Sequence, residues 1–185
     1  MKKMHGTLVL GLCLALLFCY ASGAKAEEDW GLLGATAVVR LDFRINIPTI
    51  LYLQVGTAGA LVDRVSFTVA DIPGTGPVTG TSSGPNPVPV RVAALVGAAA
   101  TATLTADSSN PLTDGTNTVP FTEISWTATD DFAPGNTFTG AAGQVLNTFT
   151  GPGDNTGTYT FSYANANWYP ASTYDGRVTY TLSSP

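Results

Sequence analysis

The longest regular alternation of apolar and polar residues in this chain lies at 38–55. Val39, Leu41, Phe43, Ile45 and Ile47 are apolar, with Arg40, Asp42, Arg44 and Asn46 between them. A period of two belongs to a β-strand with one face buried and one in water. Pro48 cannot donate to a sheet ladder and marks an edge, a bend or a change of sheet. Beyond it Leu51, Leu53 and Val55 resume the alternation. The pattern predicts an internal strand at 39–47 on which the rest of the fold packs. Five such side chains contribute about 1.5–3 kcal/mol each when buried, a large share of a net stability of about 5–15 kcal/mol. Phe43→Asp is therefore expected to prevent folding.

From Gly56 onward the predicted strands are shorter and evenly spaced. Val65, Phe67 and Val69 alternate with Arg64, Ser66 and Thr68, and residues 73–87, rich in Gly, Pro, Ser and Thr, read as a long loop. Val88, Val90, Val92, Ala94 and Val96 form the next strand, followed by one at 101–105 with alternate small residues. Ser-Asn-Pro and Asp-Gly turn signals fall within 107–119. Ile124, Trp126 and Ala128 mark a strand that ends at Asp130 and Asp131, and 145–149 is a fainter one. Tyr159, Phe161 and Tyr163 follow Gly-Pro-Gly-Asp-Asn, and Tyr174, Val178, Tyr180 and Leu182 close the chain. About eight strands, with turn signals between nearly every pair, predict an all-β fold built as an antiparallel β-sandwich.

The chain opens differently. Lys2 and Lys3 precede an apolar run at 8–18 and small residues ending in Ala24-Lys25-Ala26, before Glu27, Glu28 and Asp29. This is the order of a secretory signal peptide cleaved after Ala26. The run is shorter than a membrane span needs, and no later segment resembles a span. The expected organisation is a signal peptide at 1–26, a leader at 27–37 and a single β-sandwich domain at 38–185.

Removing 1–26 changes the composition. Both cysteines, both methionines, the one histidine and all three lysines lie there, leaving five arginines against thirteen carboxylates, a net charge of −8 (5 − 13). Nucleic acid and anionic membrane surfaces need a basic face, so both are poor partners. An exported domain without cysteine relies on burial and backbone pairing rather than disulfides, and at this size one core suffices.

The same absences exclude nucleophiles activated by His, Cys–His pairs and Ser–Lys pairs, and remove the usual ligands of zinc, copper and haem. No catalytic residue, metal ligand or cofactor is predicted, and the chain is not expected to be an enzyme. Carboxylate chemistry remains, as a glycosidase-like pair or a weak calcium site. Asp130, Asp131 and Asp154, the last beside Asn155, stand in turn-like contexts. Asp and Asn fill turns for backbone reasons, however, and the spacing is not that of a calcium loop. Trp126, in phase with Ile124 and Ala128, is expected in the core. Trp168, Tyr169 and Pro170 are expected to pack the corner before the last strand, where amphipathic rings need one polar partner. The other reading of Trp168, Tyr169 and Tyr174 is a stacking platform for sugar rings, as in a secreted carbohydrate-binding module.

The run Tyr169-Pro-Ala-Ser-Thr-Tyr-Asp-Gly-Arg-Val-Thr-Tyr-Thr-Leu-Ser-Ser-Pro185 resembles the last strand of exported pilin-like proteins of the chaperone–usher type. Ile47-Pro-Thr-Ile-Leu-Tyr-Leu-Gln-Val-Gly56 resembles the early strand of small secreted proteins encoded alongside such systems. Ser172 stands where the family pattern has Gly, and the disulfide of many members is absent. The resemblance implies an immunoglobulin-like Greek-key sandwich, passage through the periplasm, and a periplasmic chaperone and like subunits as partners. It also implies a structural role in a surface fimbrium and in cell adhesion. In such folds a missing strand leaves an apolar groove, which a neighbour's N-terminal extension fills. Residues 27–37, carrying Trp30, Leu32 and Leu33, are then the expected donor, as the only segment outside the predicted sandwich. A complete sandwich with 27–37 as a flexible leader is the rival.

Overall fold

The computed structural model describes residues 29–59, 61–129 and 135–185. The predicted signal peptide, Glu27, Glu28 and the Asp130–Asp131 pair lie outside the described residues. The chain divides into two units, Met1–Asn46 and Ile47–Pro185.

The described part of the first unit contains no strand. It holds one turn, in which the Ala35 N–H donates to the Leu32 carbonyl at 2.8 Å, and the Asp29 carboxylate accepts from the backbone N–H groups of Trp30 and Val38 at 2.9 Å. Its large apolar side chains stand in water, Trp30 at 87 % and Phe43 at 86 % exposure, with Leu32, Leu33, Val39, Leu41 and Ile45 alongside. The internal strand expected at 39–47 is therefore not formed, and Phe43 is no core residue. Alternation gives a segment the ability to occupy a sheet; a strand also requires a ladder partner, which the pattern alone does not supply.

In the second unit all pairing is antiparallel. The strands are β1 (Ile50–Val55), β2 (Val65–Ser66), β3 (Val78–Thr79), β4 (Thr81–Ser82), β5 (Val88–Leu95), β6 (Thr101–Asp107) and β7 (Leu112–Thr113). There follow β8 (Thr118–Val119), a 3-10 turn at Phe121–Glu123, β9 (Ile124–Ala128), β10 (Asn136–Thr137), β11 (Gln144–Thr150), β12 (Gly153–Tyr163) and β13 (Thr179–Ser183). One sheet runs β1-β5-β12-β9-β10, with β3 also on β12; the other runs β11-β6-β13; β2–β4 and β7–β8 are small separate ladders.

Val88, Val90 and Val92 of β5, Trp126 of β9, and Tyr159 and Phe161 of β12 share one buried cluster with Leu104 and Ala106 of β6. The two main sheets thus face each other across a common core, the arrangement of a sandwich. Phe138 fills its aromatic centre, with its ring 4.7 Å from Trp126, 5.8 Å from Phe121 and 6.3 Å from Phe161. The core position expected for Trp126 is observed.

Several boundaries differ from the pattern. The loop expected at 73–87 contains β3 and β4, which pair with β12 and β2. Strand β12 starts at Gly153, so the expected Gly-Pro-Gly-Asp-Asn turn is confined to its first residues. There Gly151 takes a φ of 75°, and a Cβ on it would meet the Ala98 carbonyl oxygen at 3.1 Å, which is why glycine occupies the corner.

Candidate functional site

The site is the flank formed by β1 and β13, one end strand of each main sheet. On β1, Leu51, Leu53 and Val55 lie opposite Ala94, Val92 and Val90 of β5. The three β5 side chains are buried, whereas Leu51 is 37 % exposed and Leu53 and Val55 are half-buried. On β13, Tyr180 and Leu182 lie opposite the buried Ala106 and Leu104 of β6 and are themselves half-buried. Burial therefore fades at the last strand of each sheet. Strands β1 and β13 run close together without pairing. Among the described residues each has a ladder partner on one edge only.

Burial pushes the Tyr180 hydroxyl well above the ordinary tyrosine range, with Tyr159 adding to the effect. Burial also pushes Tyr159 up to about 12. Unpaired N–H and C=O groups beside a row of half-buried apolar side chains form a template for one more strand. Such a strand gains ladder hydrogen bonds while its alternate side chains close the core, as in β-strand addition.

The segment best shaped for that addition is one that sequence reasoning placed in the core. Residues 39–47 carry five apolar side chains on one face and Arg40, Asp42, Arg44 and Asn46 on the other. The available signal was position, since the alternation lies ahead of Pro48 at the entrance to the sheet. Trp30, Leu32 and Leu33, the expected donor residues, are exposed too. Their spacing puts Leu32 and Leu33 on opposite faces of any strand, and the turn at Leu32 to Ala35, with Gly34 at a φ of 93°, interrupts extension.

A second cluster surrounds Glu123, which is only 9 % exposed. The Asn167 amide and the Tyr169 hydroxyl both donate to its Oε1, the latter at 3.3 Å, while Oε2 has no hydrogen-bond partner. Burial, then the Glu123 carboxylate, pushes the Tyr169 hydroxyl up. The Tyr174 hydroxyl donates to the Pro170 carbonyl at 2.8 Å. Tyr169 and Tyr174 thus serve the local corner, whereas Trp168 stays 76 % exposed, correcting the expectation that its ring packs there.

The carboxylate candidates fare differently. Asp154 sits on β12 rather than in a turn and accepts from Arg91 Nε at 2.9 Å and Nη2 at 2.7 Å. The guanidinium lies 5.4 Å from the Tyr52 ring centre and, chiefly through its hydrogen bonds, holds Asp154 below the ordinary carboxylate range. The oxygens of Asp154 are thus engaged by a cation of the protein itself. Among the described residues no three His, Cys, Asp or Glu side chains gather as a metal would require. No helix among them is long and apolar enough to cross a membrane.

Comparisons with protein-family models, with curated proteins and with solved structures find no match for this chain.

Proposed function

We propose that this is an exported structural subunit, an immunoglobulin-like sandwich short of one strand, which assembles by strand complementation into a surface fibre of the fimbrial kind. One observation carries the reading: an alternating apolar segment at 39–47 stands exposed, and among the described residues β1 and β13, one end strand of each main sheet, leave an edge unpaired beside half-buried apolar side chains. Each half has what the other lacks. In this reading the donor is 39–47 rather than 27–37, and a periplasmic chaperone would cover the open flank before assembly. The test is size-exclusion chromatography of the secreted chain and of its Phe43→Asp variant. Concentration-dependent polymers from the first and folded monomers from the second support the reading; equal behaviour of the two refutes it.

A second reading rests on Trp168, whose exposed ring beside the anchored Asn167 and Tyr169 has the form of a sugar-stacking platform. Under it the chain is a carbohydrate-binding module. A glycan array distinguishes the two, through saturable binding that Trp168→Ala abolishes without loss of fold.

A further inference from the structure

Most aspartates of the second unit are engaged by their own surroundings. Asp63 accepts from the Thr57 N–H, Asp107 from Ser109, and Asp114 from Thr116 and Asn117. Asp154 holds Arg91, and Asp175 stands 4.0 Å from Arg64. Asp71 differs. It lies exposed in the connection between β2 and β3, and among the described residues no hydrogen bond or ion pair reaches its carboxylate. Aspartate ordinarily holds a turn by bonding nearby backbone, and Asp71 does not.

The loop that carries it is held by other groups. The Thr75 hydroxyl donates to the Ile72 carbonyl at 2.9 Å, and the Gly74 N–H donates to the Asn165 carbonyl at 2.8 Å. The Asn165 side-chain amide donates to the same Ile72 carbonyl at 3.5 Å. Asn165 follows the end of β12, is 2 % exposed and takes a φ of 49°, a left-handed conformation that asparagine tolerates better than most residues. Asp71, Thr75 and this buried Asn165 line one cleft of about 290 Å³, with Thr68 and Val78 on its walls. Ligand clefts run roughly 300–1,000 Å³, so this one suits a small head group.

The chemistry left on offer in the cleft is one-sided. The Thr75 hydroxyl hydrogen and the Asn165 amide nitrogen already serve Ile72, which leaves acceptors: the Asp71 carboxylate, the Asn165 amide oxygen and the lone pairs of Thr75 Oγ1. A sugar hydroxyl both donates and accepts, and half of that capacity would go unmet. Calcium takes roughly six to eight oxygens, several of them from carboxylates in strong sites, and no three acidic side chains gather among the described residues. A primary ammonium carries three donors, no acceptor and a single positive charge. We infer that this cleft is a binding site for a primary ammonium group, with Asp71 as its counter-ion and Asn165 and Thr75 as the acceptors that orient it. Val78 supplies an apolar wall for the carbon that bears the ammonium. The group belongs to a free amine or to a lysine side chain, and the site stands independently of strand complementation.

The experiment titrates the secreted chain, at neutral pH, constant ionic strength and a concentration too low for assembly, and follows backbone amide NMR shifts. The probes are ethylammonium, ethanol, lysine blocked at both backbone ends, and calcium chloride; the proteins are wild type, Asp71→Asn and Asp175→Asn. The expected result is saturable shifts within 68–78 and at Asn165 with ethylammonium or blocked lysine, and none with ethanol. Asp71→Asn, at an exposed position, should keep the fold and bind at least about tenfold more weakly, while Asp175→Asn should bind as wild type does. Tighter binding of blocked lysine marks a protein side chain as the source of the ammonium, and tighter binding of ethylammonium marks a free amine. Absence of saturable shifts with both amines, equal binding by Asp71→Asn, an equal loss in Asp175→Asn, or displacement of the amines by a lower concentration of calcium each overturns the inference.

Discussion

Leu53 and Val92 lie directly opposite each other in the β1–β5 pair, yet Val92 is 0 % exposed and Leu53 only half-buried. One strand spacing separates a sealed core from an open one. The two residues should therefore respond differently to the state of assembly. Leu104 shares full burial with Val92, and Leu104→Ala should cost about 2–5 kcal/mol in any state. Leu53→Ala should cost distinctly less in the monomer, because less apolar area leaves the core, and more once the flank is filled. Denaturant unfolding of both variants, in a Phe43→Asp background and in assembled material, measures the contrast.

Phe43→Asp itself reverses the expectation drawn from pattern alone. With the ring 86 % exposed and no strand at 39–47, the substitution should leave the circular dichroism spectrum and the melting temperature of the monomer, compared at concentrations too low for assembly, unchanged. Loss of fold would place 39–47 back inside the sandwich.

Acid should weaken the fold through a few identifiable carboxylates. Asp114 accepts from the backbone N–H groups of Asn117 at 2.6 Å and Thr116 at 2.9 Å and from the Asn117 side chain at 3.2 Å, which holds it far below the ordinary range. Asp107 and Asp154 are lowered as well, by Ser109 and Arg91. A depressed folded-state value means that the contribution is complete above the unfolded-state value of about 3.9 and is lost as pH falls through the folded-state values. Melting temperature should hold from neutral pH to about pH 5 and fall below about pH 4. Asp114→Asn should make that fall shallower while lowering stability at neutral pH. A variant with the wild-type acid profile would remove Asp114 from the account.

The sugar-stacking alternative gives its own expectation. Trp168→Ala should leave stability within about 0.5 kcal/mol of wild type, as for an exposed residue without a structural role. Thermal melting checks this, and a larger loss would mean that the ring packs against the corner after all.

Much of the sandwich was legible in the sequence because its strands mark both faces. Val88, Val90, Val92 and Ala94 alternate with exposed or half-exposed neighbours, and the structure places all four in the core; Tyr159 and Phe161 on β12 behave alike. Strands β3 and β4 were not legible, because their Gly- and Thr-rich stretch lacks any apolar period and is held by pairing to distant chain. Asp154 was misplaced into a turn because the sequence shows Gly-Pro-Gly beside it but not Arg91 across the ladder. The open flank was hidden for a related reason. Alternation at 39–47 says which residues face one way, and the same pattern serves a strand of this sandwich or one lent to another.

The central claim is that one of the unpaired edges at this flank, that of β1 or that of β13, accepts segment 39–47. Backbone hydrogen exchange tests it most directly, on the full-length Phe43→Asp chain with and without a synthetic peptide of wild-type sequence 38–47. The account predicts that the peptide slows exchange within Ile50–Val55 or within Thr179–Ser183 and leaves the interior of β12 as it was. Unchanged exchange at β1 and β13 with saturating peptide, or protection confined to other strands, would contradict it.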